Sequence, residues 1–159
     1  WPFVSAFWAD AAHSQGFKDI FSFELQNLAD LALNSNNCFY EIYNSETGAV
    51  DGGWQLDHQW NSVHDQTWSA TGYIRMIFNN LFGMRFTPEG LTFNPDVELL
   101  NEYGVEKLSN LRYLNGRLNI IVSGKGTKLA AVKVNGKTQS VKKPIAPADG
   151  ITQIELIIK

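Results

Sequence analysis

The sequence predicts an α+β protein whose helices come first and whose antiparallel strands follow. Three observations carry this. Residues 3–33 space their apolar side chains as helices do, residues 108–158 alternate them as strands do, and composition changes between the two stretches. Residues 1–99 hold 3 Lys and Arg against 12 Asp and Glu, whereas residues 100–159 hold 10 against 4. The aromatic residues divide the same way, with 17 of 20 in residues 1–86, all five Trp among them. Two differently built regions therefore join near residues 83–100, and the division is drawn as 1–85 and 86–159.

The first helix is expected over 3–15, where Phe3, Val4, Phe7, Trp8, Ala11 and Ala12 fall at helical spacing and Gly16 supplies a stop. The second spans 17–33 with Phe17, Ile20, Phe21, Leu25, Leu28 and Ala32, closed by Asn34-Ser35-Asn36-Asn37. A third begins near Asp65, whose side chain suits a cap, and runs through Trp68, Ile74, Ile77, Phe78 and Leu81 to Gly83. Both early helices are apolar over more than one stripe. Faces that wide need a covering surface, either the rest of a larger parent chain or a second copy.

Short strands follow at 84–87 and 91–94, joined by Thr87-Pro88-Glu89-Gly90. Residues 108–114 and 117–122 flank Asn115-Gly116, and residues 129–134 and 137–141 flank Asn135-Gly136. Both read as hairpins with type I′ turns. Residues 152–158 alternate Ile154, Leu156 and Ile158 with mostly polar partners and form a final strand.

The bulk numbers exclude several classes. The chain is 44% hydrophobic and 18% charged with net charge −3, a globular balance. Its apolar runs are far shorter than the roughly 20 residues a bilayer requires, so no membrane partner is expected. One cysteine, Cys38, rules out an internal disulfide and a Cys-rich zinc site. The lysines of the second half are spread singly along alternating strands, which fits a solvated sheet face and not a nucleic-acid surface. Asp57-His58 and His64-Asp65 fit cap and loop roles, because a six-residue spacing matches no compact metal motif. No metal or cofactor is expected. Gly124-Lys125-Gly126-Thr127 sits between strands without the spacing of a phosphate loop and reads as a hairpin turn. Ser69 has no nucleophile-elbow setting, and Cys38 reads as a half-buried loop residue.

The link between helices two and three concentrates acids and rings. In Phe39-Tyr40-Glu41-Ile42-Tyr43, one carboxylate lies among three aromatics, a setting in which partial burial tunes a carboxyl. Glycoside hydrolysis needs two carboxyl groups and aromatic faces that stack on sugar rings. A surface acid at a helix end is the plainer reading of the same residue.

The run Phe39-Tyr40-Glu41-Ile42-Tyr43-Asn44-Ser45-Glu46-Thr47-Gly48 resembles the E-x-Y-x-x-x-T-G element of six-hairpin glycosidases, nearest to glycoside hydrolase family 63 and its relatives. Gln66-Thr67-Trp68-Ser69-Ala70-Thr71-Gly72-Tyr73 is similar to the Trp-Ser helix that follows that element. Leu81-Phe82-Gly83 and the stretch 86–95 look like the helix-to-sheet passage of such enzymes. The resemblance covers residues 1–95 and is generic beyond them. It implies the last helices of an (α/α)6 barrel followed by a small antiparallel β-sandwich-like domain. It implies Glu41 as the general base of an inverting reaction, with the general acid roughly 6.5–9.5 Å away on a hairpin earlier in the parent chain. The segment between Gly48 and Trp68 is longer than in the family pattern. Tyr40, Tyr43, Trp54, Gln66 and Trp68 are the expected sugar contacts, carbohydrate is the expected partner, and a periplasmic or secreted setting follows from the resemblance. The chain alone is expected to be inactive. The alternative from a different class is a non-catalytic carbohydrate-binding or accessory module, which would tolerate Glu41→Gln. A scaffold domain that only packs on a partner is the third reading.

Overall fold

The computed structural model describes residues 1–50, 53–55 and 58–159, with backbone alone for 53–55 and 58–60. The chain forms two compact units, Trp1–Ile77 and Phe78–Lys159.

In the first unit, α1 spans Pro2–Ser14 and α2 spans Lys18–Asn34. Pro2 suits a first turn, where its missing N–H donor is no loss. Between them, Gly16 takes a φ of 84°, and the Phe17 N–H donates back to Ala12 O at 2.9 Å. This closes α1 with a backbone geometry that glycine adopts at little cost. Asn36 and Asn37 repeat the device at the end of α2, with φ of 56° and 62° and the Asn37 N–H on Ala32 O at 2.8 Å. Helix α1 packs on both α2 and α3, the latter Thr67–Arg75. Its buried stripe of Ala6, Ala9 and Ala12 permits close approach. A side chain at Gly72 of α3 would place its Cβ 3.0 Å from Ala6 Cβ. Arg75 lies over the Phe7 ring at 4.3 Å and pairs with Asp10. Helix α2 buries Phe21, Leu25 and Leu28. A small hairpin, β1 (Gly53–Gln55) with β2 (His58–Trp60), lies in the link.

The expected third helix is two pieces. After Arg75 the ladder widens into a π-helical turn over Met76–Leu81, and Gly83 ends it at φ 61°. A Cβ there would fall 1.8 Å from Asn94 O, so only glycine fits. Asp65 does not cap this helix. Its own φ is 56°, Gln66 holds the N-cap position, and the Asp65 carboxylate faces His64 Nδ1 at 2.7 Å.

In the second unit, β3 (Met84–Thr87) pairs with β4 (Gly90–Phe93), and a short α4 (Val97–Glu102) follows, capped by the Asp96 side chain. The remaining strands are β5 (Lys107–Tyr113), β6 (Gly116–Gly124), β7 (Leu129–Val134), β8 (Lys137–Gln139) and β9 (Gly150–Ile158). They form one sheet in the order β5-β6-β9-β7-β8. Leu118, Ile120, Val132, Ile154, Leu156 and Ile158 are buried, and their partners in the register share one face.

This architecture corrects the expected fold class. Among the described residues only α1, α2 and α3 reach seven residues, and α1 packs against both others in one small group. The protein is a small α+β fold and not the end of an (α/α)6 barrel. The β-sandwich-like expectation is corrected as well. The five-stranded sheet is mixed, because β9 inserts between β6 and β7 and runs parallel to β6. Period-2 alternation fixes which residues face the core but not which strand is the neighbour or its direction. Consequently Gly124-Lys125-Gly126-Thr127 is not a hairpin turn, because β6 and β7 are not neighbours. It passes the end of β9, with the N–H groups of Thr127 and Lys128 both on Lys159 O at 3.1 Å. The Asn135-Gly136 turn is as expected, with both φ positive. The first hairpin turns one residue earlier, at Leu114-Asn115, and Gly116 becomes a strand residue.

Candidate functional site

The segment that follows α2 is extended and tied by its backbone to residues 62–66. The Glu41 N–H donates to Val63 O at 2.8 Å, the Gln66 N–H to Phe39 O at 2.9 Å, and the Ile42 N–H to the buried Ser62 Oγ at 2.8 Å. Ser62 is anchored in turn, its N–H on Val50 O at 3.0 Å. These bonds hold residues 39–42 without a regular strand partner.

The loop beyond is built around Asn44. Its Oδ1 accepts from the N–H groups of Glu46 and Thr47 at 2.9 and 3.0 Å, the local pairing that makes Asn a turn former. Its backbone pairs with Ala49 and Gly48, and Gly48 takes a φ of 71°. Tyr43 folds back so that its hydroxyl accepts from the Tyr40 N–H at 3.0 Å. The two rings meet edge to face at 6.0 Å, and Tyr40 meets His64 at 6.1 Å. Edge-to-face packing fixes ring orientation.

Glu41 is half-buried within this frame. Among the described residues its carboxylate has no ion pair and no hydrogen-bond donor. Two clefts flank the segment. One, of about 820 Å³, is lined by Tyr40, Tyr43, Asn34, His64 and Asp65. The other, of about 530 Å³, is lined by Tyr43, Asn44, Glu24, Asn27, Asp30 and Trp1. They share Leu31, Asn34, Tyr43 and Gly48, so one groove of mixed polar and apolar lining runs along the residues of α2 that face the loop. Both volumes lie in the range of small-molecule sites. A third cleft of about 570 Å³ is more apolar, with Leu33, Phe39, Gln66, Ala70, Tyr73 and Ile74. Glu41 is not among the residues lining these three.

The structure therefore gathers Tyr40, Tyr43 and Glu41 on one anchored segment. It places Gln66 in the neighbouring apolar cleft. Trp68 lies apart from both tyrosines, stacked on Phe3 at 5.2 Å and 46% exposed. Trp54 lies on β1, and its side chain falls outside the described residues, as does Asp57 altogether. Residues that sequence reasoning missed are Ser62, which holds Ile42 from 20 positions away, and the groove-facing set of α2. Glu24, Asn27, Leu31 and Asn34 follow one another at i, i+3, i+7 and i+10, a helical spacing that was legible in the sequence.

Burial holds the Glu24 carboxyl above the ordinary range, more than a Ser5 hydrogen bond and the Trp1 ammonium bring it down. Burial lowers the Trp1 ammonium, which Glu24 partly offsets, and raises the Tyr73 phenol. Among the described residues no group of three or more His, Cys, Asp and Glu is placed to hold a metal ion. Compared with protein-family models and with curated proteins, the sequence matches none.

Proposed function

We propose that this chain is part of a glycoside hydrolase and supplies its general base, Glu41. One observation carries the reading. A carboxylate without a partner among the described residues stands on a segment pinned by two backbone–backbone bonds and one to the Ser62 hydroxyl, in sequence between two tyrosines that wall the groove. A general base must be free to accept a proton from water and must be held in place while doing so. A salt-bridged or capping carboxylate is held in place but is not free to accept the proton. The rings of Tyr40 and Tyr43 offer apolar faces of the kind sugars stack on, and their fixed edge-to-face geometry limits the ordering cost of binding.

Glycosidic cleavage also needs a proton donor on the opposite side of the bond. We place that donor in another part of the parent protein. The outward residues of α1 support a covering surface of that kind. Val4, Phe7 and Trp8 are 55%, 46% and 54% exposed, while the alanines face α2 and α3. The chain alone is then inactive, and the whole protein hydrolyses glycosides with inversion. Proton NMR of the first-formed sugar tests this. The anomer opposite to that of the substrate is expected, and a product of retained configuration overturns the base role of Glu41.

A further inference from the structure

We infer that the groove between α2 and the loop carrying Tyr40 and Tyr43 selects uncharged saccharides and rejects anionic ones, such as uronates and sugar phosphates. The inference rests on the reading of this loop as a saccharide site and adds the substrate class. Its basis is the chemistry of the walls. Across the 530 and 820 Å³ clefts the neutral side chains that can meet a hydroxyl include Asn27, Asn34, Asn44, Ser45, Tyr40 and Tyr43. An amide offers both donors and an acceptor, which suits a hydroxyl that also plays both parts.

The ionisable side chains on the same walls are Glu24, Asp30, His64 and Asp65. Among the described residues no Lys or Arg lines either cleft. The one imidazole is engaged by Asp65 at 2.7 Å. A sugar carboxylate or phosphate would enter a groove whose free charges share its sign. It would give up water without gaining the charged donor that recognition of such groups uses. A neutral hydroxyl loses far less and finds an amide.

The test is a pair of NMR titrations of the 159-residue chain with methyl glucoside and with the matching methyl glucuronide, followed by glucose 6-phosphate. Shifts of the Asn27, Asn34 and Asn44 side-chain amides are expected with the glucoside, and binding about tenfold weaker or less for both anions. Asn27→Ala is exposed at the helix surface and is expected to weaken glucoside binding without changing Tm. Equal or tighter binding of either anion overturns the inference, as does the absence of shifts at these amides with every probe. Preferential anion binding leaves the base assignment standing, since that is read from turnover and product anomer, whereas silence with every probe counts against the saccharide reading of the loop as well.

Discussion

Glu24 is a carboxyl whose protonation the fold perturbs. Its folded-state pKa lies above the unfolded one because burial disfavours the charged form. The proton is thus held more tightly in the native state. The associated stability is fully present below the ordinary Glu range and is lost as pH rises through the raised value. Glu24→Gln keeps the size and the hydrogen bond to Ser5 but cannot ionise. Its Tm relative to the natural chain should therefore be near zero at acid pH and positive at pH 7, read by thermal unfolding at both. A difference of the opposite sign would mean that burial is not the dominant influence on this carboxyl. At this scale the sequence was partly informative. Tyr40, Glu41 and Tyr43 stand out in the chain by type and spacing. That Ser62 and Val63 pin them was not legible, since no local pattern links positions 20 apart.

The elements were read more easily than their arrangement. Helices α1 and α2 follow from apolar spacing, and Gly16 and the Asn36-Asn37 pair end them because those residues tolerate positive φ. The third helix could not be read to its end. Nothing in Met76–Leu81 announces a π-helical turn, because the apolar period of the two helix types differs too little over six residues. The cap was misassigned to Asp65, where His64 competes for the carboxylate. In the sheet, the alternation of β6 and β9 gave the buried face correctly, but β9 inserts between β6 and β7 through tertiary pairing alone. Gly116 is the residue most sensitive to that arrangement. A Cβ there would lie 2.1 Å from Ala148 O and 2.8 Å from Gly150 O, both backbone atoms that cannot yield easily. Gly116→Ala is expected to destabilise the second unit by about 1–3 kcal/mol, as overpacking does. Denaturant unfolding followed by Tyr103 and Tyr113 fluorescence or by amide NMR measures it. An unchanged midpoint would mean that residues 148–150 do not approach β6 so closely.

For the whole molecule, the charge and aromatic asymmetry of the sequence corresponds to two compact units with different chemistry. The first carries 9 of the 16 acids with only Lys18 and Arg75 against them, all five tryptophans and the groove. The second carries the lysines and a sheet with one apolar face. The proposed function belongs to the first unit, and the partner it requires is a second carboxyl group from elsewhere in the parent protein. The central claim is that Glu41 activates the attacking water. It is tested most directly by comparing kcat and sugar affinity of the whole protein with those of its Glu41→Gln variant. The account predicts a fall in kcat of at least about 10²-fold with saccharide binding retained, the loss expected when a general base is removed. A variant that turns over as fast as the natural enzyme would contradict it.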